Sequence, residues 1–402
     1  MKIIQKDEVL VEQPRLGVGV YFAALLAMVT VQWMTLDMYL PALPVLKQEF
    51  ASNEALLNFS FNSNILFCAI GTLIGGTLSD KYGRKPVMIV GLIMAIVGLF
   101  GCAASNDVVM LTIQRGVAGL GGGVAQTVAL AVGRDSFTGQ TFKTTTTISQ
   151  AAAVIGPVFA PAIGSSLIEY LNWRWIFIVA ALGTLITLIP ICFAAETWPK
   201  ECRHVDSVWG ATKQTLLLGK NATYLSFMGT ILLLTIPVWA YLSVCSYVYY
   251  DDFGVSNLKY TILYSIGTII SCCSPFVYMA MAKKLESRRI IKICMGFVVL
   301  GGAAFALIAS KSPVLFLVAM VPIFLAEGIV RPLCTVEVME RYKEQAGSAS
   351  ALNTFFLMII GVVGSSLATM NWSTFITGLA IISFGCAALS LAFWLPGKKF
   401  VK

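Results

Sequence analysis

The sequence reads Gly76-Thr77-Leu78-Ser79-Asp80-Lys81-Tyr82-Gly83-Arg84-Lys85 where two long apolar runs, residues 57–78 and 86–104, meet. Each run is close to the 20 or so residues that a helix needs to cross a bilayer. A short connection rich in lysine and arginine predicts a tight loop on the cytoplasmic side, because these residues concentrate in cytoplasmic loops. The stretch therefore predicts two membrane helices joined by a cytoplasmic turn.

The composition of the whole chain agrees with this prediction. Of its 402 residues, 57% are hydrophobic and only 12% are charged, whereas a soluble domain carries about 25% charged residues. Helices are predicted for all the long apolar runs, because backbone groups in lipid must be satisfied within each segment. The predicted fold class is an all-α integral membrane protein with twelve transmembrane helices, at residues 16–40, 57–78, 86–104, 107–131, 145–168, 173–194, 222–249, 258–281, 290–309, 313–335, 347–368 and 373–395.

The basic residues give the orientation of these helices. The two termini and the connections after helices 2, 4, 6, 8 and 10 together hold 22 of the 28 lysines and arginines, and the connections on the other side hold four. The positive-inside rule then places both termini in the cytoplasm, as an even number of helices also requires. The net charge of +8 follows from this bias, so it does not indicate nucleic-acid binding.

One long polar connection divides the predicted helices into two sets of six. The predicted parts are an N-terminal half over residues 1–195, a cytoplasmic linker over 196–220 and a C-terminal half over 221–402. A repeat of the first basic loop is expected after helix 8. Residues 282–289 keep its basic character but lack its glycines, which supports an internal repeat only weakly.

Arg115 lies inside predicted helix 4, where a charge is costly and by default indicates a function or a specific partner. Counting 1.5 Å per residue from the outer helix ends, Arg115 lies about 12 Å and Asp37 about 10 Å below the same surface. Their similar depth and opposite charge predict that the two side chains communicate. A static ion pair that only joins helices 1 and 4 is the alternative.

Asp37 shares one face of helix 1 with Thr30 and Trp33, at spacings of three and four residues. Burial disfavours a charged carboxylate and a nearby arginine favours it, and a proton carrier depends on that balance. A wall with a carboxylate, an indole and a hydroxyl suits a partly aromatic, amphipathic ligand, and the ring could also accept a cation. The alternative for Trp33 is ordinary packing.

Helix 10 carries a second charged pair, Glu327 and Arg331, at positions i and i+4. This spacing lets the two side chains neutralise each other on one helix face. We favour this self-paired interpretation. The alternative is a second site for a proton or for substrate.

Helix 5 contains Gly156, Pro157 and Pro161, and the two prolines remove backbone hydrogen bonds and bend the helix. Small residues between them allow a neighbouring helix to approach closely. One interpretation is a kinked helix that only packs. The other is a flexible seam on which the two halves move.

Further polar and aromatic residues inside helices are candidates for substrate binding, and each has the alternative of joining helices by packing or hydrogen bonds. Together with the three residues of helix 1, the predicted substrate-binding set comprises Tyr39, Asn62, Gln126, Gln150, Trp239, Tyr241, Tyr247 and Asn353.

These patterns resemble the major facilitator superfamily. The loop over residues 76–85 matches the pattern G-x-L-x-D-[RK]-x-G-[RK]-[RK] between helices 2 and 3 of that superfamily, and Arg115 matches its helix-4 arginine. The run Asp37-Met-Tyr39-Leu-Pro41-Ala-Leu-Pro44 is similar to that of the bicyclomycin/chloramphenicol-resistance (Bcr/CflA) branch of drug:proton antiporters. Helix 5 resembles the antiporter motif but departs from it at Ala152, Ala160 and Pro161.

The resemblance implies two pseudo-symmetric six-helix halves around a central cavity that opens to alternating sides. It implies export of small amphipathic compounds driven by inward proton movement, across the cytoplasmic (inner) membrane of a bacterium. It assigns proton coupling to Asp37 and Arg115. It assigns gating to the loop and to the bend of helix 5, that is to Gly76, Asp80, Gly83, Arg84, Gly156, Pro157 and Pro161.

Other functions are weighed against this one. The departure in helix 5 leaves room for a transporter of a specific metabolite on the same fold. A membrane enzyme would need a nucleophile–base or metal cluster, and the single histidine, His204, and the scattered cysteines disfavour it. A channel would not show saturable, proton-linked exchange. No enzyme activity, cofactor, metal or obligate protein partner is predicted, and a monomer is the default.

Overall fold

The structure is a computed structural model that describes residues 8–11, 13–199, 201, 203, 221–341 and 346–397. Twelve long α-helices account for most of these residues. They are α1 Val18–Met38, α2 Glu54–Tyr82, α3 Arg84–Ala103, α4 Val108–Ser136, α5 Gly139–Tyr170, α6 Arg174–Phe193, α7 Ala222–Tyr247, α8 Asn257–Ala282, α9 Ser287–Leu307, α10 Pro313–Arg341, α11 Ala346–Ala368 and α12 Phe375–Gly397. Short helical turns follow three of them, at Leu40–Ala42 and Leu43–Glu49 after α1, Val248–Asp252 after α7 and Ala309–Lys311 after α9.

Each predicted span coincides with one of these helices, so the predicted all-α fold of twelve helices is confirmed. Ten helices in the described part of the chain are long and apolar enough to cross a membrane. Several helices are longer than predicted; α4, for example, continues to Ser136 and α10 to Arg341. The prediction followed apolar character, whereas a helix continues for as long as its backbone hydrogen bonds do.

The chain forms two compact units. The first comprises Met1–Ala42 and Ser63–Lys213, and the second comprises Leu43–Asn62 and Gln214–Lys402. The change of unit after Lys213 falls within the predicted linker. The segment Leu43–Asn62 belongs to the second unit although it precedes that linker, and its side chains Leu46, Leu57 and Phe61 are buried. The three predicted domain ranges stay a prediction.

Glycines bring α2 and α4 together in the first unit. A Cβ atom on Gly119 would overlap the backbone oxygen of Asn64, and one on Gly123 would overlap that of Cys68. Gly75 of α2 lies equally close to α4, because a Cβ there would be 2.9 Å from the Cα of Val124. Small residues at a membrane-helix contact allow such close backbone approach. The run of glycines in α4 therefore serves helix packing.

Replacing Gly119 by alanine is expected to lower the free energy of unfolding by about 1–3 kcal/mol, the usual cost of overpacking a close contact. The added methyl group meets backbone atoms of α2, which cannot move aside as a flexible side chain can. Unfolding of the purified protein by SDS would measure the change. Gly133→Ala is the matched control in the same helix, because a Cβ on Gly133 meets nothing within 4 Å. Alanine there should stabilise by about 0.5–1 kcal/mol through helix propensity.

An aromatic cluster forms part of the core of the second unit. The rings of Tyr241 and Tyr249 both contact Phe316, with centroid distances of 5.3 and 5.2 Å, and Tyr249 also contacts Tyr260 at 5.7 Å. The π-helical turn Val248–Asp252 carries Tyr249 into this cluster. The cluster therefore fixes the end of α7 against the neighbouring helices α8 and α10.

Candidate transport site

Arg115 is the central residue of the candidate site in the first unit. Its side chain is fully buried in α4, and none of its three side-chain nitrogens has a hydrogen-bond partner among the described residues. Its guanidinium carbon lies 4.1 Å from the ring centroid of Tyr39 and 5.9 Å from that of Phe177. A cation above an aromatic ring is attracted by the ring, and more strongly where water is excluded. Two aromatic rings therefore hold this charge in place of hydrogen bonds.

Polar side chains of α2 fix the backbone of α4 around Arg115. The amide of Asn64 donates to the backbone oxygen of Arg115 at 2.9 Å, and the hydroxyl of Ser63 donates to that of Thr112 at 2.9 Å.

The rings of Tyr39 and Phe177 contact each other at 5.7 Å, and Trp173 packs on Phe177 at 6.1 Å. The ring pair is therefore anchored independently of the arginine.

Asp37 is buried in the last turn of α1, in the same unit as Arg115. No hydrogen bond joins the two side chains, since the guanidinium has no such partner among the described residues. Tyr39 contacts the guanidinium instead. Tyr39 follows α1 as its C-cap residue, so it lies at the same end of that helix as Asp37. The predicted communication between Asp37 and Arg115 stays a prediction.

The predicted ligand face of α1 also packs against α5. The hydroxyl of Thr30 donates to the backbone oxygen of Leu26 at 2.9 Å, so it is used within its own helix. A Cβ on Gly156 would lie 3.1 Å from the backbone oxygen of Thr30 and 2.9 Å from Met34. Trp33 is partly exposed. Pro157 and Pro161 of α5 thus directly follow a close contact with α1.

Gln126 lines a small cavity inside the first unit, between α1, α3, α4 and α6. Gln32 and Thr184 supply further polar groups to it, and Met28 and Leu92 are among its apolar lining. Sequence analysis missed Gln32, although a glutamine inside a membrane helix is itself a signal of a polar contact. The side chain of Gln150 lies outside the described part of the chain.

The predicted substrate residues of the second unit form contacts within that unit. The amide of Asn62 donates to Ser366 at 3.1 Å, the thiol of Cys334 donates to Asn353 at 3.4 Å, and the hydroxyls of Tyr241 and Tyr249 lie 3.3 Å apart. The contacts of Asn62 and Asn353 each join two helices, which favours the alternative in which polar groups join helices. Two aromatic residues are packed as well. Trp239 lies against Gly361 and Gly364 of α11, and Tyr247 stacks on Phe375 at 6.0 Å.

Arg84 is the centre of a charged network at the junction of α2 and α3. Its side chain is buried, and it forms ion pairs with Asp80 and with Asp135, the latter at 2.8 Å. It also donates to the hydroxyl of Ser79 at 2.7 Å, and its guanidinium lies 4.5 Å from the ring centroid of Trp198. The predicted gating residues Asp80 and Arg84 are therefore in direct contact. Gly76 of α2 lies against Thr127 of α4, since a Cβ on Gly76 would be 3.7 Å from the methyl group of Thr127.

Glu196 closes the same turn from the segment that follows α6. Its carboxylate accepts hydrogen bonds from the backbone nitrogens of Arg84 at 2.9 Å and Lys85 at 3.3 Å, which caps the start of α3. Gly83 has φ +102°, and a Cβ there would lie 2.6 Å from this carboxylate. Only glycine fits both demands. Sequence analysis missed Glu196 and treated it as part of the linker, although its position directly after a span is typical of a residue that caps a neighbouring helix.

Replacing Glu196 by alanine is expected to lower the free energy of unfolding by about 1 kcal/mol, because the first backbone N–H groups of α3 lose their acceptor. SDS-induced unfolding would measure the loss. Glu201→Ala, which removes an exposed carboxylate nearby, serves as the control and should leave stability unchanged. Equal stability of both variants would show that the cap contributes nothing.

The charged pair of helix 10 forms as the self-paired interpretation requires. Arg331 donates to Glu327 at 2.9 Å, and the second carboxylate oxygen accepts from Ser271 of α8 at 3.1 Å.

In the described residues no cluster of three or more histidine, cysteine, aspartate or glutamate side chains has the arrangement of a metal site.

The profile of the Major Facilitator Superfamily matches residues 25–365, which is most of the chain. The chain belongs to the Major Facilitator Superfamily. It is therefore a multi-pass membrane transporter, and the superfamily consists of transporters rather than enzymes. The resemblance on which the sequence prediction relied is confirmed at this level, and the twelve helices are those of the superfamily fold.

Bacterial relatives within the superfamily cover almost the whole chain. The chain is 27% identical to the uncharacterized MFS-type transporter YdgK of Bacillus subtilis (strain 168), over 92% of this chain and 93% of that one. It is 25% identical to the multidrug resistance protein MdtL of Klebsiella pneumoniae (strain 342), over 90% and 91%. It is 24% identical to a bicyclomycin resistance protein homolog of Haemophilus influenzae, over 84% and 86%.

Solved structures of the superfamily show the same fold at lower identity. A D-xylose-proton symporter superposes with a TM-score of 0.72 at 16% identity, over 95% of this chain and 98% of that one. Identity this low supports the superfamily fold alone.

Proposed function

We propose that this protein is a proton-coupled multidrug efflux antiporter that exports small amphipathic compounds by alternating access. The observation that carries the proposal is Arg115, a buried cation whose donors have no hydrogen-bond acceptor among the described residues, in the same unit as the buried carboxylate of Asp37. The names of two relatives, a multidrug resistance protein and a bicyclomycin resistance protein homolog, support export of drugs. The proposed location is the bacterial inner membrane, with both termini in the cytoplasm.

In the proposed mechanism Asp37 carries the proton and Arg115 couples it to substrate. A deprotonated Asp37 is an anion in a medium of low dielectric and attracts the guanidinium strongly. Protonation removes that attraction, and Arg115 then keeps only its contacts with Tyr39 and Phe177. In this mechanism, substrate binding and proton binding exclude each other because both act on the charge of Arg115. The substrate and the proton need not bind the same atom.

The proposed substrate surface combines the indole of Trp33 and the carboxylate of Asp37 on α1 with the amide of Gln126 on α4. An aromatic side chain beside a few polar groups suits an amphipathic ligand. The gating role stays with the network of Asp80, Gly83 and Arg84. The bend of α5 provides the movable contact with α1, because two prolines interrupt its hydrogen bonds.

Purified protein in liposomes tests this proposal. A pH gradient is imposed, and the internal pH is followed while amphipathic drugs are added one at a time. An antiporter releases protons when a drug is added, in a saturable manner. Absence of any response in folded protein would contradict the drug-export proposal.

Transport of a specific metabolite, by uptake or export, is the second candidate. The departure of helix 5 from the antiporter motif, at Ala152, Ala160 and Pro161, favours it. Drug-susceptibility profiles of cells that express the protein separate the two functions. A drug exporter raises tolerance to several unrelated compounds, and a metabolite transporter does not.

A further inference from the structure

The charged pair of α10 is unequal in exposure. The side chain of Glu327 is 7% exposed and that of Arg331 is 49% exposed. Both oxygens of Glu327 already accept hydrogen bonds, one from Arg331 and one from Ser271. A guanidinium has five N–H donors, and the bond to Glu327 uses one of its two terminal nitrogens. The pair therefore presents a cation outward and keeps its anion inside.

Close packing between α8 and α10 holds this arrangement. A Cβ on Gly328 would overlap the side chain of Ser274 and would lie 2.8 Å from the backbone oxygen of Ser271. The hydroxyl of Ser274 donates to the backbone oxygen of Ile270 at 2.7 Å. This contact fixes the backbone of α10 next to Glu327, and the hydrogen bond from Ser271 holds the carboxylate itself. Glu327 is thus a fixed support for Arg331.

Arg331 lies well inside the membrane-spanning part of α10. The apolar span runs from Pro313 to Val338, and Arg331 is about 10 Å from its nearer end at 1.5 Å per residue. It is the only basic residue in the six described helices of the second unit that is more than two turns from either helix end. An exposed cation at such a depth is costly in lipid and belongs to a polar path.

We propose that Arg331 binds a carboxylate group of the transported compound, with Glu327 and Ser271 as the residues that position the guanidinium. This inference deepens the proposed function, on which it rests, by naming the substrate class as amphipathic carboxylic acids. The planar guanidinium matches a carboxylate with two parallel hydrogen bonds. A cationic compound would meet Arg331 before it could reach the buried oxygens of Glu327, so the exposed group favours anions.

The test compares 1-naphthylacetic acid with its neutral primary amide, which differ in charge and hardly in shape. Transport of each into or out of proteoliposomes is measured for the unaltered protein and for Arg331→Gln, with Arg289→Gln as control because Arg289 is an exposed arginine at the start of α9. The unaltered protein and the control should prefer the acid. Arg331→Gln should reduce the acid-to-amide ratio roughly tenfold or more, as expected for hydrogen bonds to a charged group.

Two further variants separate recognition from a purely structural role. Glu327→Gln keeps an oxygen that accepts from Arg331 but removes the competing negative charge, so it should raise the acid-to-amide ratio. Arg331→Lys keeps the charge but loses the planar fork and should lower the ratio only in part. If Arg331 only holds α10 in place, Arg331→Gln and Glu327→Gln will slow both compounds equally. An unchanged ratio in Arg331→Gln would overturn the proposal.

Equilibrium binding in detergent makes failure of the site distinguishable from failure of the proposed function. If no compound drives proton movement in the unaltered protein, the antiport proposal fails. Binding of labelled naphthylacetic acid to folded protein still tests Arg331 on its own. Weaker binding to Arg331→Gln than to Arg289→Gln supports the site, and equal binding refutes it.

Discussion

Asp37→Asn is expected to abolish drug-triggered proton release in proteoliposomes. Asparagine has nearly the shape of aspartate, but it neither binds nor releases a proton at physiological pH. The buried position of Asp37 in α1 would therefore stay filled while the proposed carrier of the proton is lost. A pH-sensitive dye inside the vesicles measures the release, and drug binding in detergent is measured in parallel.

Asp107→Asn is the matched control for this variant. Asp107 caps the start of α4 by accepting a hydrogen bond from the backbone nitrogen of Met110 at 2.8 Å. Asparagine caps a helix about as well as aspartate, so this variant should fold and exchange normally. Exchange in Asp37→Asn with the same pH dependence as in the unaltered protein would refute the role of this carboxylate.

Arg84→Ala is expected to lower the free energy of unfolding by about 3 kcal/mol or more, a larger loss than Glu196→Ala would cause. Removing one partner of a buried ion pair leaves the other charge uncompensated, at a typical cost of about 3–5 kcal/mol. Removal of Arg84 leaves two carboxylates without their ion-pair partner. Asp135 is nearly buried, with 10% of its side chain exposed, whereas Asp80 is 40% exposed and regains water more easily. SDS-induced unfolding measures the effect.

Arg134→Ala is the appropriate comparison, because Arg134 adjoins Asp135 but is exposed. Exposed charges contribute little to stability, so this variant should differ from the unaltered protein by less than about 0.5 kcal/mol. The free energy of unfolding of Arg84→Lys should lie between those of Arg84→Ala and Arg134→Ala. Arg84→Lys keeps the charge but loses the planar contact with Trp198. Similar stability of Arg84→Ala and Arg134→Ala would show that the network is not a structural support.

The sequence predicts the membrane helices well because their signal is local. An apolar run of about 20 residues identifies a span without knowledge of its neighbours, and each predicted span is a helix in the structure. The pair Glu327 and Arg331 is equally local, since the spacing of four residues on one helix brings the side chains together. The first prediction needed only the length of an apolar run, and the second needed only the period of the helix.

Contacts between distant segments were not predictable in the same way. The contact of Tyr39 with the guanidinium of Arg115 was not predicted, because similar depth in the membrane leaves the rotation of each helix undetermined. The capping of α3 by Glu196 joins residues more than 100 positions apart. The allocation of Leu43–Asn62 to the second unit likewise depends on packing that no single segment encodes.

The contact between Arg115 and Tyr39 has a consequence for the proposed coupling. An arene binds a guanidinium through its flat face, whereas every N–H of that group points outward along its rim. The two kinds of contact do not compete for the same part of the ion. In the proposed coupling, Arg115 gains or loses an anionic partner at the rim while its guanidinium carbon stays over the tyrosine ring. A rearrangement of hydrogen bonds alone, without translation of the cation, is enough to report the protonation state of a neighbouring carboxylate.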